Sequence, residues 1–290
     1  MLPNFFIIGT PKAGTTSLYN YLKSHPDIFM SPKKEPNFFS FQDIGNQKLY
    51  YPEKNIKSVE LYKILFKNAK NKIAIGDASV SYLFYEQVPK RIKKIVPNAK
   101  IIIILRQPTS RAFSHYLMDS RLGLVNLNFE DIVYKKTTHP KMDLYYQQFI
   151  ELGFYHSQIK RYFDIFGQNN VKVFLTEDLK TELGNVLKDI CTFLHIDNTV
   201  NFDLEQRHNV YRAPRNSLVR FFYSFKTMRS LIRNLIPDQW VSNVKNQLLL
   251  VEKKPALSQK TRNYLNELYS NDIKKTATLI QRDLTTWQTH

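Results

Sequence analysis

The chain has 290 residues of which 43% are hydrophobic, enough to bury the core of one large α/β domain, and its single cysteine, Cys191, excludes an intramolecular disulfide and a four-cysteine zinc site. Its longest apolar runs, Ile101 to Leu105 and Leu248 to Val251, fall far short of the roughly 20 residues of a membrane-crossing helix, and Phe5 to Ile8 is too short for a signal-peptide core, so a cytoplasmic protein is expected. A net charge of +17 and a pI near 9.7 call for an anionic partner, which charge alone leaves open among nucleic acid, an anionic membrane, a polyanionic glycan and a multiply phosphorylated small molecule.

The first element is a strand, Phe5 to Ile8, running through Gly9-Thr10-Pro11-Lys12-Ala13-Gly14 into a helix over Thr16 to Ser24 that aligns Leu18, Tyr21 and Leu22. This strand-turn-helix is an anion cradle. Gly9 and Gly14 allow close backbone approach, and Ala13 and Gly14 lead into Thr15, Thr16 and Ser17, whose amides and hydroxyls open the helix. The triphosphatase pattern G-x-x-x-x-G-K-[ST] almost fits, but Thr15 follows Gly14 and the lysine, Lys12, sits inside the turn. That displacement favours a donor with a shorter 5′ chain than a triphosphate, clamped by side-chain cations rather than by a metal.

Next comes a proline-rich loop, His25 to Phe39, in which Glu35 stands before Phe38-Phe39 and is the candidate general base; its alternative is a surface glutamate paired with Lys33 or Lys34. A helix over Val59 to Phe66 precedes a strand at Ile73 to Ile75, whose end directs Asp77, Ser79 and Tyr82 toward a shared crevice. The strand Ile101 to Leu105 feeds a helix over Pro108 to Arg121. Arg106 at the junction and Ser114 two turns on can grip a second phosphate, with Arg111 and His115 on the same helix. A further strand is expected at Val171 to Leu175. The stretch from Glu205 to Arg233 carries seven basic residues against one acid, and Ser258 caps a closing helix to Asp283.

Strands alternating with helices predict a three-layer α/β/α fold on a central parallel sheet. No repeat or Gly/Ser linker divides it. One domain over 1–290 is expected, with the sheet in about 1–200 and a mainly helical part from about 216 to 290.

The string Lys12 to Leu18, together with Arg106 and Ser114, resembles the sulfotransferases that use 3′-phosphoadenosine 5′-phosphosulfate (PAPS), in particular the heparan sulfate N- and 3-O-sulfotransferase branch and its soluble bacterial members. The resemblance implies PAPS as donor and 3′-phosphoadenosine 5′-phosphate (PAP) as product, with no metal. It places Lys12 on the bridging oxygen of the scissile bond, Arg106, Ser114 and Arg212 at the 3′-phosphate, and Glu35 as base. Asp77, Ser79, Phe38, Tyr82 and His115 become candidate contacts to a glycan or small-molecule acceptor. Ala78 stands where heparan-type members carry a lysine, which argues against a heparan-like acceptor. Two rivals remain at this level: a P-loop kinase or nucleotide triphosphatase, and a non-catalytic polyanion-binding protein, although no nucleic-acid motif is present.

Overall fold

The computed structural model describes residues 1–51, 56–204, 213–214, 249–250 and 255–289. Strands β1 (Phe5–Ile7), β2 (Ile28–Met30), β3 (Ala74–Ala78), β4 (Lys100–Leu105) and β5 (Val171–Leu175) form one parallel sheet in the order β2-β3-β1-β4-β5. The helices are α1 (Thr15–Lys23), α2 (Phe41–Asn46), α3 (Val59–Ile64), α4 (Val88–Ile95), α5 (Pro108–Arg121) and α6 (Phe129–Val133). After them come α7 (Met142–Phe149), α8 (Tyr155–Phe166), α9 (Thr176–Thr181), α10 (Leu183–Leu194), α11 (Gln259–Ile280) and α12 (Thr286–Thr289).

Side chains on adjacent strand positions point to opposite faces, and both faces here are covered by helices. Phe5, Ile7, Ile102 and Ile104 pack with Leu18 and Leu22 of α1 and with Leu187 and Ile190 of α10. Phe6, Ile101, Ile103 and Leu105 join Ala112 of α5, Ile159 of α8 and Leu265 of α11 on the other side. The middle strands therefore read as continuous apolar runs because neither face meets water. The strand order sets β1 between β3 and β4, with α1 leaving for one face and α5 for the other, so a crevice opens at the carboxyl ends of β1 and β4.

Three elements differ from expectation. Ile28–Met30 was read as loop but forms the edge strand β2, paired with Ala74 to Gly76; three residues are too few to display alternation. The strand expected at Ile73 to Ile75 runs instead from Ala74 to Ala78, with Ile73 54% exposed outside it. In the part expected to be mainly helical, Leu249–Leu250 is a strand paired antiparallel with Ala213–Pro214, ahead of the long α11 that Ser258 caps through the Thr261 amide. Among the described residues no helix is long and apolar enough to cross a membrane.

Gly76 shows why a glycine occupies the middle of β3. A Cβ there would lie 2.4 Å from Phe5 Cζ and 2.5 Å from Met30 Sδ, inside contact distance on a packed face. Gly76→Ala is expected to lower the unfolding free energy by about 2 kcal/mol, seen as a lower denaturant midpoint with an unchanged slope; an unchanged midpoint would contradict this packing.

Candidate active site

The turn between β1 and α1 is held by hydrogen bonds to its main-chain atoms. Thr10 N donates to Ile104 O at 2.6 Å, and the Thr176 hydroxyl lies 2.9 Å from Ala13 O and 3.0 Å from Leu105 O. Lys12 has φ +71° and Gly14 φ +105°. Gly14 adopts that left-handed conformation freely, whereas at Lys12 it is strained and maintained by the surrounding bonds. The opening turn of α1 has no acidic residue and no side-chain cap at Gly14, and the amides of a helix's first turn lack intrahelical acceptors, an arrangement that suits an anion.

Arg106 ends β4 beside this turn. One of its guanidinium nitrogens donates to Lys12 O at 2.9 Å, while the Tyr155 hydroxyl donates to Arg106 O at 2.8 Å. Burial lowers the Arg106 pKa from its usual high value, and Tyr155 and Glu177 oppose the shift. The guanidinium carries five N–H donors, so a phosphate can be gripped while the bond to Lys12 persists.

These groups share one cleft of about 2000 Å³. Lys12, Ala13, Gly14, Thr15, Thr16 and Ser17 line it from β1 and α1, Arg106 and Ser114 from β4 and α5, and Glu35 and His115 also reach it. The structure thus brings into one cleft the residues expected to bind the two phosphates and the residue expected to act as base. Arg212 lies outside the described residues.

Glu35 is not enclosed by aromatics as its flanking sequence suggests. Its side chain is 40% exposed and pairs with Lys34 Nζ at 2.8 Å, the ionic arrangement that was the alternative reading, although both residues face the cleft. Its backbone has φ +61°, and its amide donates to Ala78 O at 2.9 Å.

Asp77, Ser79 and Tyr82 are placed differently from expectation. All three are fully buried and none lines the cleft. Tyr62 and Tyr82 donate to Asp77 Oδ2 at 2.7 and 2.9 Å, Ser79 donates to Oδ1 at 2.8 Å, and the Asn37 amide donates to the Ser79 hydroxyl at 3.2 Å. This network anchors the loop that carries Glu35. Burial pushes the Asp77 carboxyl up to about 6 against those hydrogen bonds. Phe38 also turns away from the cleft and stacks on Tyr62 with ring centroids 4.3 Å apart. The same strand end reaches the cleft through Val80, Ser81, Phe84 and Tyr85 instead.

His115 faces the cleft but is committed to neighbours. Its Nε2 lies 2.6 Å from the Tyr51 hydroxyl and its Nδ1 3.1 Å from Gln148 O. Burial, with Arg111 and Lys12 adding positive charge nearby, holds the ring well below the usual histidine range and therefore neutral. Sequence reasoning missed Tyr51, Met118 and Arg121, which also line the cleft. Met118 and Arg121 follow Ser114 at i+4 and i+7, so helical spacing could have found them; Tyr51 has no local signal.

A family model described as the Sulfotransferase domain matches residues 2–277. Mouse bifunctional heparan sulfate N-deacetylase/N-sulfotransferase 4 is 28% identical over 209 residues, 69% of this chain and 23% of that protein, and the human enzyme numbered 3 is 27% identical over 201 residues, 67% and 22%. The chain spans less than a quarter of the length of these relatives. A solved sulfotransferase from Alicyclobacillus acidocaldarius is 29% identical with a TM-score of 0.71 over 99% of both chains. Mouse sulfotransferase SULT7A1, solved in complex with PAP, shares the fold at 16% identity and a TM-score of 0.50, covering 95% of this chain and 85% of that one.

Proposed function

The chain belongs to the sulfotransferase domain family, and on that premise we propose that it transfers a sulfuryl group from PAPS to a hydroxyl, or in second place an amine, of a carbohydrate, glycolipid or small-molecule natural product. The observation that carries the reading is the pairing of two anion sites in one cleft: the turn from Lys12 to Ser17 and the Arg106–Ser114 face of α5. A nucleotide phosphorylated at both its 5′ and 3′ ends matches that pair. With Lys12 and Arg106 supplying the cations, the reading assigns no metal.

Lys12 meets the negative charge that develops on the bridging oxygen as the sulfur–oxygen bond breaks, a role that counts most in a cleft shielded from water. The α1 amides and Arg106 hold the two ends of the donor, so that attack on sulfur proceeds from a fixed geometry. Glu35, at the cleft mouth on the loop that Asp77 and Ser79 anchor, takes the proton that the acceptor hydroxyl loses. The buried anchor explains how a half-exposed carboxylate is kept in place.

The reading is tested by following ³⁵S from labelled PAPS into a panel of sugars, glycolipids and phenols. A labelled product supports it, and PAPS left intact across the panel opposes it. For the accepted compound, Glu35→Gln is expected to lower kcat by about 100-fold with PAP affinity unchanged. A wild-type rate in that variant would remove Glu35 from the proton transfer.

A further inference from the structure

Lys12 carries a charge that its own loop does not balance. Its Nζ lies 3.3 Å from Met118 Sδ, a weak acceptor, and it forms no ion pair among the described residues. Burial lowers its pKa, and the positive charges of Arg121 and Arg106 lower it further. An ammonium in this setting tends to lose its proton, yet the proposed chemistry needs it charged.

Asp119 is the residue after Met118 on α5, and it is fully buried. Tyr50 donates to its Oδ2 at 2.8 Å and Tyr51 donates to the same oxygen, while Oδ1 is buried without any hydrogen-bond partner. His115 Nε2 is 3.7 Å from Oδ2, but the ring is held neutral and does not cancel the charge. A buried carboxylate supported only by neutral donors is costly unless its charge acts on something nearby.

We infer that Asp119 is the counter-charge of Lys12, a positioning residue that keeps the lysine protonated in the desolvated cleft and so ready for the 5′-phosphate end of the nucleotide. This inference rests on the proposed PAPS-dependent reading. The groups acting on Asp119 are Tyr50 and Tyr51, His115 of its own helix, Tyr145 of α7 and, by charge, Lys12; those acting on Lys12 are Arg121, Asp119, Arg106 and Glu35. Of the two carboxylates that raise the lysine's pKa, Asp119 has the larger effect.

The sign of the pH dependence follows. Burial pushes the Asp119 carboxyl up to about 6, so it is already an anion at neutral pH, and burial lowers the Lys12 pKa from its usual alkaline value. Removing the Asp119 charge leaves burial and the two arginines less opposed, and the lysine then loses its proton at lower pH. Affinity for PAP should fall on the alkaline side only.

The test is calorimetric titration of PAP from neutral to alkaline pH. Asp119→Asn is expected to bind as the unaltered protein does at neutral pH and about tenfold more weakly at the alkaline end. Asp119→Ser, which leaves space rather than an amide between the two tyrosines, should behave alike. In a Lys12→Arg background the Asp119 substitution should make no pH-dependent difference, because a guanidinium keeps its charge. A purely structural role would weaken binding equally at every pH and in both backgrounds, and that result, or an alkaline profile unmoved by the substitution, would overturn the inference. Absence of PAP binding by the unaltered protein would instead remove the PAPS-dependent reading on which it rests.

Discussion

Lys12→Ala is expected to lower turnover by about 1000-fold while leaving the fold intact. The bond that secures the turn runs from Arg106 to the Lys12 carbonyl, which alanine retains, and the left-handed backbone at this position is already occupied by a residue with a Cβ. The substitution therefore deletes one ammonium from the cleft and little else. Since burial already disfavours that ammonium, its removal should not cost stability, and thermal unfolding of the variant should match that of the unaltered protein. Single-turnover measurements with PAPS check the rate; a loss of less than about tenfold would take the lysine out of the bond-breaking step.

Arg106→Ala should act on binding. Its guanidinium is part-buried just after β4, and removing one partner of a largely desolvated charge pair costs about 3 kcal/mol, or roughly 100-fold in PAP affinity. The variant also loses the bond to Lys12 O, so the turn itself is loosened and kcat should fall as well. The two substitutions are thus distinguishable: alanine at 12 lowers PAP affinity by about tenfold and turnover far more, whereas alanine at 106 removes most of the affinity. Equal PAP affinity in Arg106→Ala and the unaltered protein would dissociate this arginine from the nucleotide.

The parts of this arrangement that were legible in the sequence are those specified locally. A buried strand, two glycines and a run of hydroxyl residues define the β1–α1 turn within fourteen positions, and Pro108 marks the start of α5 just after Arg106. The parallel sheet was legible for the same reason, because strands buried on both faces are apolar without interruption. Asp77 and Tyr82 were not. Asp77 lies inside β3 and Tyr82 on the short turn after it, and the Asp77 carboxylate is drawn into the core by the hydroxyl of Tyr62 on α3. Glu35 shows the intermediate case: its neighbours in sequence suggested an aromatic enclosure, while Phe38 and Phe39 turn onto Tyr62 and leave the carboxylate to Lys34. Tyr51 and Asp119, sixty-eight positions apart, meet only through tertiary packing.

That packing also gives the cleft two differently built walls. The loop carrying Glu35 stands on a satisfied buried network in which every Asp77 oxygen has a donor. The α5 wall instead leaves Asp119 Oδ1 without a donor and the Lys12 ammonium against a thioether. One wall is finished as structure, and the other holds unsatisfied charge where the donor's reactive end is proposed to lie.

The central claim is that this cleft holds a nucleotide phosphorylated at its 3′ and 5′ ends, and calorimetric titration with PAP, run beside ATP with magnesium, tests it most directly. The account predicts tight binding of PAP without metal, lost on replacing Arg106 by alanine. Binding of ATP with magnesium but not of PAP would contradict it.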